Sequence, residues 1–515
     1  MFSPSENIPA DIVRQTTQRL ARPAPCLVSR PMTRSESTFL PAEEQNRKPY
    51  RALWAMLLLG WVVSYADRTL TGPVVSWMIA NDVGFIGESS DPRALGGLVG
   101  SLFFTGYMLT QYPGGRLGDR FGHREMIVLS LLWAGVMTAL SGIVVGLIAF
   151  VGARVLTGLG EGVFYSNDRT LIMNNTPPKR RTLGLGVVIS GLSIGLTVGI
   201  VLTPVLIDWG TSMGLGTDAW RVPFLVFAVF SVLVALGCWY FFHRHLGGRL
   251  RLGPPLLRMV AVSTPLLAAV LLLFVVADRL QWPTWGTALG SGMLAVLVIG
   301  AVVLRIRRTP EAATLLSRDI VIIYFAYIAI LWNLWFFSFW SVEIVREAAD
   351  SSLLAAALTA AFNAGAGILG FPAGGWLADR ALRRGRGRKP LLISFSVIYS
   401  LLVFCFALSI SGGGTPSLWL LGLILFCSGL FFNALQPIAQ GMTGDLVPDA
   451  QRGSAFGLLN LVSEIGAVAS PVVSGVLRDA TGSWSVGTWV AGGIMLASAG
   501  MYAFVREKRP ALAVA

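Results

Sequence analysis

Charge is scarce in this chain, and what it lacks narrows its chemistry. Of its 515 residues only 13% are charged, against 54% hydrophobic, and the mean hydropathy is +0.67. Soluble domains do not combine so little charge with apolar runs this long, so the composition reads as a polytopic membrane protein. The three histidines, His123, His243 and His245, lie in or beside charged loops, which leaves no histidine as a proton relay inside the membrane. The four cysteines, Cys26, Cys238, Cys405 and Cys427, show no CxxC spacing, so neither a disulfide framework nor a metal site is expected. The phosphate-binding GxxxxGK[ST] and the zinc-binding HExxH are missing too. An enzyme is not expected, and no cofactor is implied.

The formal charge of +13 is spread over short basic clusters between apolar runs, not over an aromatic-interleaved patch, which argues against nucleic acid as a partner. A spanning helix needs about 20 apolar residues. Such runs fall near 52–79, 95–113, 126–144, 146–167, 184–207 and 221–242, and again near 320–342, 354–377, 390–410, 417–440, 454–476 and 486–505. Two further runs between these sets, joined by ADRLQWP, read as an inserted pair. The expected architecture is an all-α membrane protein. A disordered cytoplasmic tail (1–49) precedes a six-helix bundle (50–245); an inserted transmembrane pair with linkers (246–318), a second six-helix bundle (319–506) and a cytoplasmic tail (507–515) follow. Basic clusters such as Lys179–Arg181, Arg305–Arg308 and Arg380–Lys389 then fall on one side, placing both termini in the cytoplasm of a cell whose plasma membrane the chain crosses.

Two motifs repeat at equivalent places. GGRLGDRFGHR (114–124) follows the second run, and GGWLADRALRRGRGRK (374–389) follows the second run of the second set. Such a duplication signals two related bundles. In the first, Gly115, Asp119, Arg120, Gly122 and Arg124 make a turn in which glycines permit close approach, the aspartate can accept from a helix N-terminus, and arginines can pair across an interface. With Asp379 and Arg380 of the second, they are expected to act as a conformational latch, and Asp168 and Arg169, near the same end of their run, are grouped with them.

These repeats resemble the major facilitator superfamily, from about Arg51 to Arg506 apart from the inserted pair. The run GYMLTQYPGGRLGDRFGHR resembles the anion:cation symporter family, which includes sialin-like and bacterial sugar-acid transporters. Its YxDR pattern is similar to Tyr65, Asp67 and Arg68, and its RxxxGxxEG pattern to Arg154, Gly158, Glu161 and Gly162. The resemblance implies that Arg68 and Arg154 contact the substrate anion and that Asp67 and Glu161 carry coupling protons.

The residues alone point the same way. Arg154 and Glu161 are seven apart, roughly 700° of helical rotation, which puts them on one face. An arginine fork matches a carboxylate and cannot be neutralised, whereas a desolvated carboxyl can exchange a proton. The same four residues also suit an internal ion-pair network that pins two helices together. Glu464, an acid inside the run near 454–476, is a third candidate for proton coupling or the partner of a cationic substrate group. Tyr65, Tyr327, Asn363 and Asn433 are candidates to complete the substrate site, helix packing being the alternative use of each. The expected activity is proton-coupled uptake of a small organic anion by alternating access, carried out by a monomer in the lipid bilayer. A proton-driven exporter of drugs or lipids, suggested by the inserted pair, is the alternative.

Overall fold

A computed structural model describes residues 50–507 apart from 88–91, 281, 283, 352 and 413. The expectations for residues 1–49 and 508–515 lie outside this range. Every regular element among the described residues is helical. That is the outcome required of long apolar runs in lipid, where a backbone must satisfy its own polar groups.

The long helices are α1 (Tyr50–Ala80), α2 (Pro92–Leu109), α3 (Gln111–Phe121), α4 (His123–Ile143), α5 (Leu147–Asn175), α6 (Arg181–Ile189), α7 (Gly191–Ser212) and α8 (Arg221–His245). After them come α9 (Gly253–Arg279), α10 (Thr284–Ile306), α11 (Arg318–Ala348), α12 (Leu353–Arg383), α13 (Lys389–Ser411), α14 (Leu418–Leu446), α15 (Arg452–Thr481) and α16 (Trp484–Ala503). Ten helical stretches among the searched residues are long and apolar enough to cross a membrane, and Gly292–Ile306 is a shorter apolar helix. Neither α1, with its buried charges, nor α12 is in that set, so length and composition support about ten crossings, short of the expected twelve plus two.

Local chemistry explains the breaks. Pro113, which lacks an N–H and crowds the carbonyl four residues back, separates α2 from α3 at Thr110. Between α3 and α4 the chain turns at Gly122 with φ +110°, where a Cβ would meet the Glu125 carboxylate at 2.2 Å. The motif glycine is therefore demanded by the turn.

Helix α1 packs on α7, α4 on α5 and α8, and α2 on α5; later in the chain α11 packs on α15, α12 on α14, and α13 on α14 and α16. The two groups meet mainly where α3 packs on α15 and where α6 packs on α12 and α14. The pair α9 and α10 leans on the first group, α9 against α5, α3 and α2, and α10 against α2, with a smaller contact on α15. Val270 and Phe274 of α9 are buried in one cluster with Phe150, Val151 and Val155 of α5. The outer faces of the pair leave Leu257, Leu272, Met293 and Leu297 more than half exposed, as a lipid-facing surface does.

Small residues set the α2–α5 distance. A Cβ on Gly158 would stand 2.2 Å from the Phe103 carbonyl oxygen, and one on Gly162 equally close to that of Tyr107. This four-residue glycine spacing brings backbones together as in other membrane helix pairs. Gly158→Ala should therefore lower the thermal midpoint in detergent, because overpacking against backbone costs roughly 1–3 kcal/mol. Gly237→Ala, in α8 with nothing within 4 Å, is the matched control and should leave the midpoint unchanged or raise it. Equal midpoints for the two variants would count against the tight α2–α5 approach.

Candidate functional site

Asp67 and Arg68 are neighbours on α1, so their side chains diverge by about 100°, and each finds its own partner on α5. The Arg68 Nε donates to Glu161 at 2.5 Å, and the Ser64 hydroxyl donates to the same carboxylate oxygen at 2.9 Å. The guanidinium also lies against two rings, 4.0 Å from the centroid of Tyr107 and 4.5 Å from that of Tyr65. One residue earlier, Asp67 accepts from Thr138 at 2.9 Å and from Arg154 Nη1 at 3.4 Å, while Arg154 Nη2 donates to the Asp67 backbone carbonyl at 3.3 Å. Side-chain exposures of 5% and 2% for Arg68 and Glu161, and of 1% and 5% for Arg154 and Asp67, put both pairs out of water. Removing one member of such a pair strands a buried charge, at a cost of roughly 3–5 kcal/mol.

The seven-residue spacing does turn Arg154 and Glu161 towards α1, but it does not give them a shared open wall. Arg154 is enclosed by Phe103 and Phe224, whose centroids are 5.0 and 5.7 Å from its guanidinium carbon, and its charge is committed to Asp67. Glu464 of α15 accepts from Asn460 at 3.1 Å and lies within electrostatic reach of Arg68, Tyr65 and Tyr107. It has no cationic side chain in ion-pair contact among the described residues.

The tyrosine and asparagine candidates separate. Tyr65 is a wall of the Arg68 site. The Tyr327 hydroxyl accepts from Gln440 Nε2 at 3.0 Å, and the same nitrogen donates to Tyr165 at 3.0 Å, tying α5, α11 and α14 together. Asn363 donates to the Leu425 carbonyl at 3.2 Å and Asn433 to that of Gly429 at 2.8 Å. The first bond ties α12 to α14, and the second stays within α14.

At the arginine-rich face two carboxylates do parallel work. Asp119 accepts from the backbone N–H of Gly453 at 2.9 Å and of Ser454 at 2.8 Å, and from the Ser454 hydroxyl at 2.6 Å. Asp379 accepts from the N–H of Thr182 at 3.2 Å and of Leu183 at 2.8 Å. Each caps the N-terminus of a helix of the other group, α15 or α6, where unpaired N–H groups and the helix dipole favour an anion. Gly115 lets this happen, since a Cβ there would stand 1.9 Å from the Gly453 carbonyl oxygen.

The motif arginines are placed differently from expectation. Arg120 lies over Phe121, Arg380 over Trp376, and Arg124 donates to the carbonyls of Leu246 and Gly247 at the end of α8. Bridging between the groups falls to two arginines later in the second motif, Arg383, donating to the Lys179 carbonyl at 2.7 Å, and Arg388, donating to Thr182 at 2.9 Å, and to Arg452, donating to Asn174 at 2.6 Å. Asp168 also stands apart from the Asp119 turn. It is fully buried, paired with Arg169 and accepting from Trp61 Nε1 at 2.5 Å. The neighbour that does face α3 is Asn167, which bonds His123 at 2.8 Å and the Gly114 carbonyl at 3.0 Å.

Tyr107, Tyr165 and Gln440 were not anticipated from sequence, and Arg169 was grouped with the latch rather than with the charged pairs. The signal for Tyr165 and Arg169 was present, because Glu161, Tyr165 and Arg169 recur every four residues and so share a helix face. One further spacing is a coincidence: Gly191–Gly195 reads GxSxG, but Ser193 sits within α7 and donates to the Ala364 carbonyl at 3.4 Å, without the strand-to-helix turn that a hydrolase needs.

Known proteins share this architecture. The sequence profile of the Major Facilitator Superfamily matches residues 57–380 and, in a second match, 320–514. The "Probable sulfoacetate transporter SauU" of Cupriavidus necator is 25% identical over 88% of this chain and 93% of its own length. The D-galactonate transporter of Escherichia coli is 24% identical over 86% of this chain and 92% of its own. Among solved structures, the E. coli fucose:proton symporter FucP superposes with a TM-score of 0.58 at 14% identity, covering 89% of this chain and 100% of FucP. Profile, full-length relatives and shared architecture together make this chain a multi-pass membrane transporter of the Major Facilitator Superfamily.

Proposed function

We propose that the protein imports a small organic anion, a carboxylate such as a sugar acid or dicarboxylate, together with protons. The observation that carries this reading is the 2.5 Å contact between Arg68 and Glu161. An arriving carboxylate and Glu161 compete for one guanidinium, and a proton on Glu161 removes the competitor. Anion and proton therefore enter the site as a unit. The Asp67–Arg154 pair repeats the logic one step along α1, Arg154 becoming available to the anion when Asp67 is protonated. Tyr65 and Tyr107 supply the walls. Relatives named for D-galactonate and sulfoacetate transport support an anionic cargo.

Positive residues collect on cytoplasmic loops, so the arginine-rich face is taken as cytoplasmic, with Asp119 and Asp379 holding it closed. Alternating access then requires those two caps to break while the ion pairs exchange partners. With α9 and α10 both spanning, the chain crosses fourteen times.

A cargo is first sought in inside-out and right-side-out vesicles with labelled D-galactonate, a hexuronate, D-glucarate and sulfoacetate; proton-driven accumulation in the right-side-out set supports import, and accumulation only in the inverted set would indicate export. With the cargo in hand, Glu161→Gln should abolish proton-driven accumulation yet retain exchange of labelled for unlabelled cargo, since a permanently neutral side chain imitates the protonated, loaded state. Normal accumulation by that variant would remove Glu161 from the coupling role.

Asp119→Asn should slow the cycle and change cargo affinity by less than about tenfold, or 1.4 kcal/mol, because the cap governs conformational exchange and lies far from Arg68. A larger loss of affinity with the fold intact would tie Asp119 to the site itself.

The topology has its own test. A cysteine at Asp278, in a cysteine-free background, should react with an impermeant thiol reagent added outside intact cells. Reaction only after permeabilisation would mean that α9 and α10 do not cross as proposed.

A further inference from the structure

Of the three guanidiniums around α1 and α5, Arg169 is the one with a whole edge to spare. Arg68 spends its Nε on Glu161 and Nη2 on Ser64, and Arg154 spends both terminal nitrogens on Asp67. Arg169 uses Nη1 on Asp168, while Nε and Nη2 have no protein partner. Those two N–H groups lie side by side, which is the geometry that grips a carboxylate or sulfonate through two parallel hydrogen bonds. The residue is 0% exposed. A side chain that only pinned helices would be expected to have both edges satisfied, since buried polar groups rarely go without a partner.

The surroundings add aromatic faces and free acceptors. Trp61 and Tyr165 flank the guanidinium, with centroids 4.9 and 4.6 Å from its central carbon. Two acceptors nearby also lack protein partners, Asp168 Oδ1 and Gln440 Oε1. Gln440 reaches Tyr165 from α14, in the other helix group, so the surroundings of Arg169 are bounded by a contact between the two groups. Arg169 is eight residues beyond Glu161, about 12 Å along α5 towards the arginine-rich face.

We infer that Arg169 holds a second anion subsite, on the arginine-rich side of the Arg68 site, which takes a hydroxylated carboxylate or sulfonate. The anion occupies the open fork, and its hydroxyls donate to Asp168 Oδ1 and Gln440 Oε1. An anion leaving Arg68 towards that face meets Arg169 once the Tyr165–Gln440–Tyr327 contact opens. The identity of the anion as cargo rests on the proposed function; the presence of the subsite does not.

The test uses cysteine-free protein in inside-out vesicles with reporter thiols at Gln440→Cys beside Arg169 and at Tyr107→Cys beside Arg68. The rate of modification by an impermeant maleimide is measured with and without sodium sulfate, then with sodium D-galactonate. Either probe should protect Gln440→Cys. In Arg169→Gln the concentration needed for that protection should rise about tenfold or more, the loss expected with a two-bond anion contact, while protection of Tyr107→Cys stays the same. Arg169→Lys keeps the charge without the fork and should fall between. Protection that weakens equally at both thiols would make Arg169 a structural residue, and protection of Gln440→Cys indifferent to Arg169 would place the anion elsewhere. Tyr327→Cys is the second reporter should Gln440→Cys fold poorly; no protection at either, or no reaction at either, overturns the subsite. Absence of sugar-acid uptake by the unmodified protein would defeat the proposed function instead, and the sulfate result would still read Arg169.

Discussion

A guanidinium held away from water cannot shed its charge, and in this protein that constraint organises everything around α1 and α5. Arg68 has to be met by a carboxylate, so Glu161 must reach across from α5. For α5 to come that close while α2 supplies Tyr107 as a face for the same cation, the α2–α5 crossing must be tight, which is what Gly158 and Gly162 allow. Arg154 extends the arrangement by one ion pair, and its two aromatic neighbours exclude water from it. The helices could pack without these charges. The charges could not be there without this packing.

The contacts that close the arginine-rich face are of a different kind. Asp119 and Asp379 accept mostly from backbone N–H groups at helix starts, and such donors find water readily when the helices part. A hydrogen bond to a charged group contributes about 1.5–3 kcal/mol net. Stranding one member of a buried ion pair costs more, roughly 3–5 kcal/mol, because water does not take the lost partner's place. On the proposed cycle the capped face opens before the interior is disturbed, unless something arrives to replace a partner there. The two caps are near-symmetric, each made by one helix group for a helix of the other.

Much of this was legible in the residues. The duplicated glycine–aspartate motif pointed to two related halves, and the YxDR and RxxxGxxEG runs marked the four charges that the structure gathers. Pairing was harder to read, because a seven-residue spacing fixes a face of a helix and says nothing about which neighbour that face meets. Arg154 was read as an anion anchor with an internal ion pair as its other use, and the structure shows that pair, with Asp67. Asn363 and Asn433 illustrate another limit, since an amide in an apolar helix can serve a ligand or a neighbouring carbonyl, and only coordinates show the second use. Asp168 was assigned by its distance along the chain to a charged turn, whereas its rotation about α5 carries it inward. Arg169 was grouped with that turn on the same measure, and the structure pairs it with Asp168.

The balance of charge gives these pairs a direction. Around α1, α5 and α15 the guanidiniums of Arg68, Arg154 and Arg169 are each in contact with one carboxylate, and Glu464 adds a further carboxyl that has only an amide for company. With every group ionised the region already carries one negative charge in excess, and a bare anion would deepen it. In a medium of low dielectric that excess is strongly opposed. The opposition is relieved when an acid takes a proton, and the acid best placed to do so is the one whose guanidinium the incoming anion has just taken. On the proposed function, displacement of Glu161 from Arg68 and protonation of Glu161 are a single event, which lets a region so rich in acids take an anion.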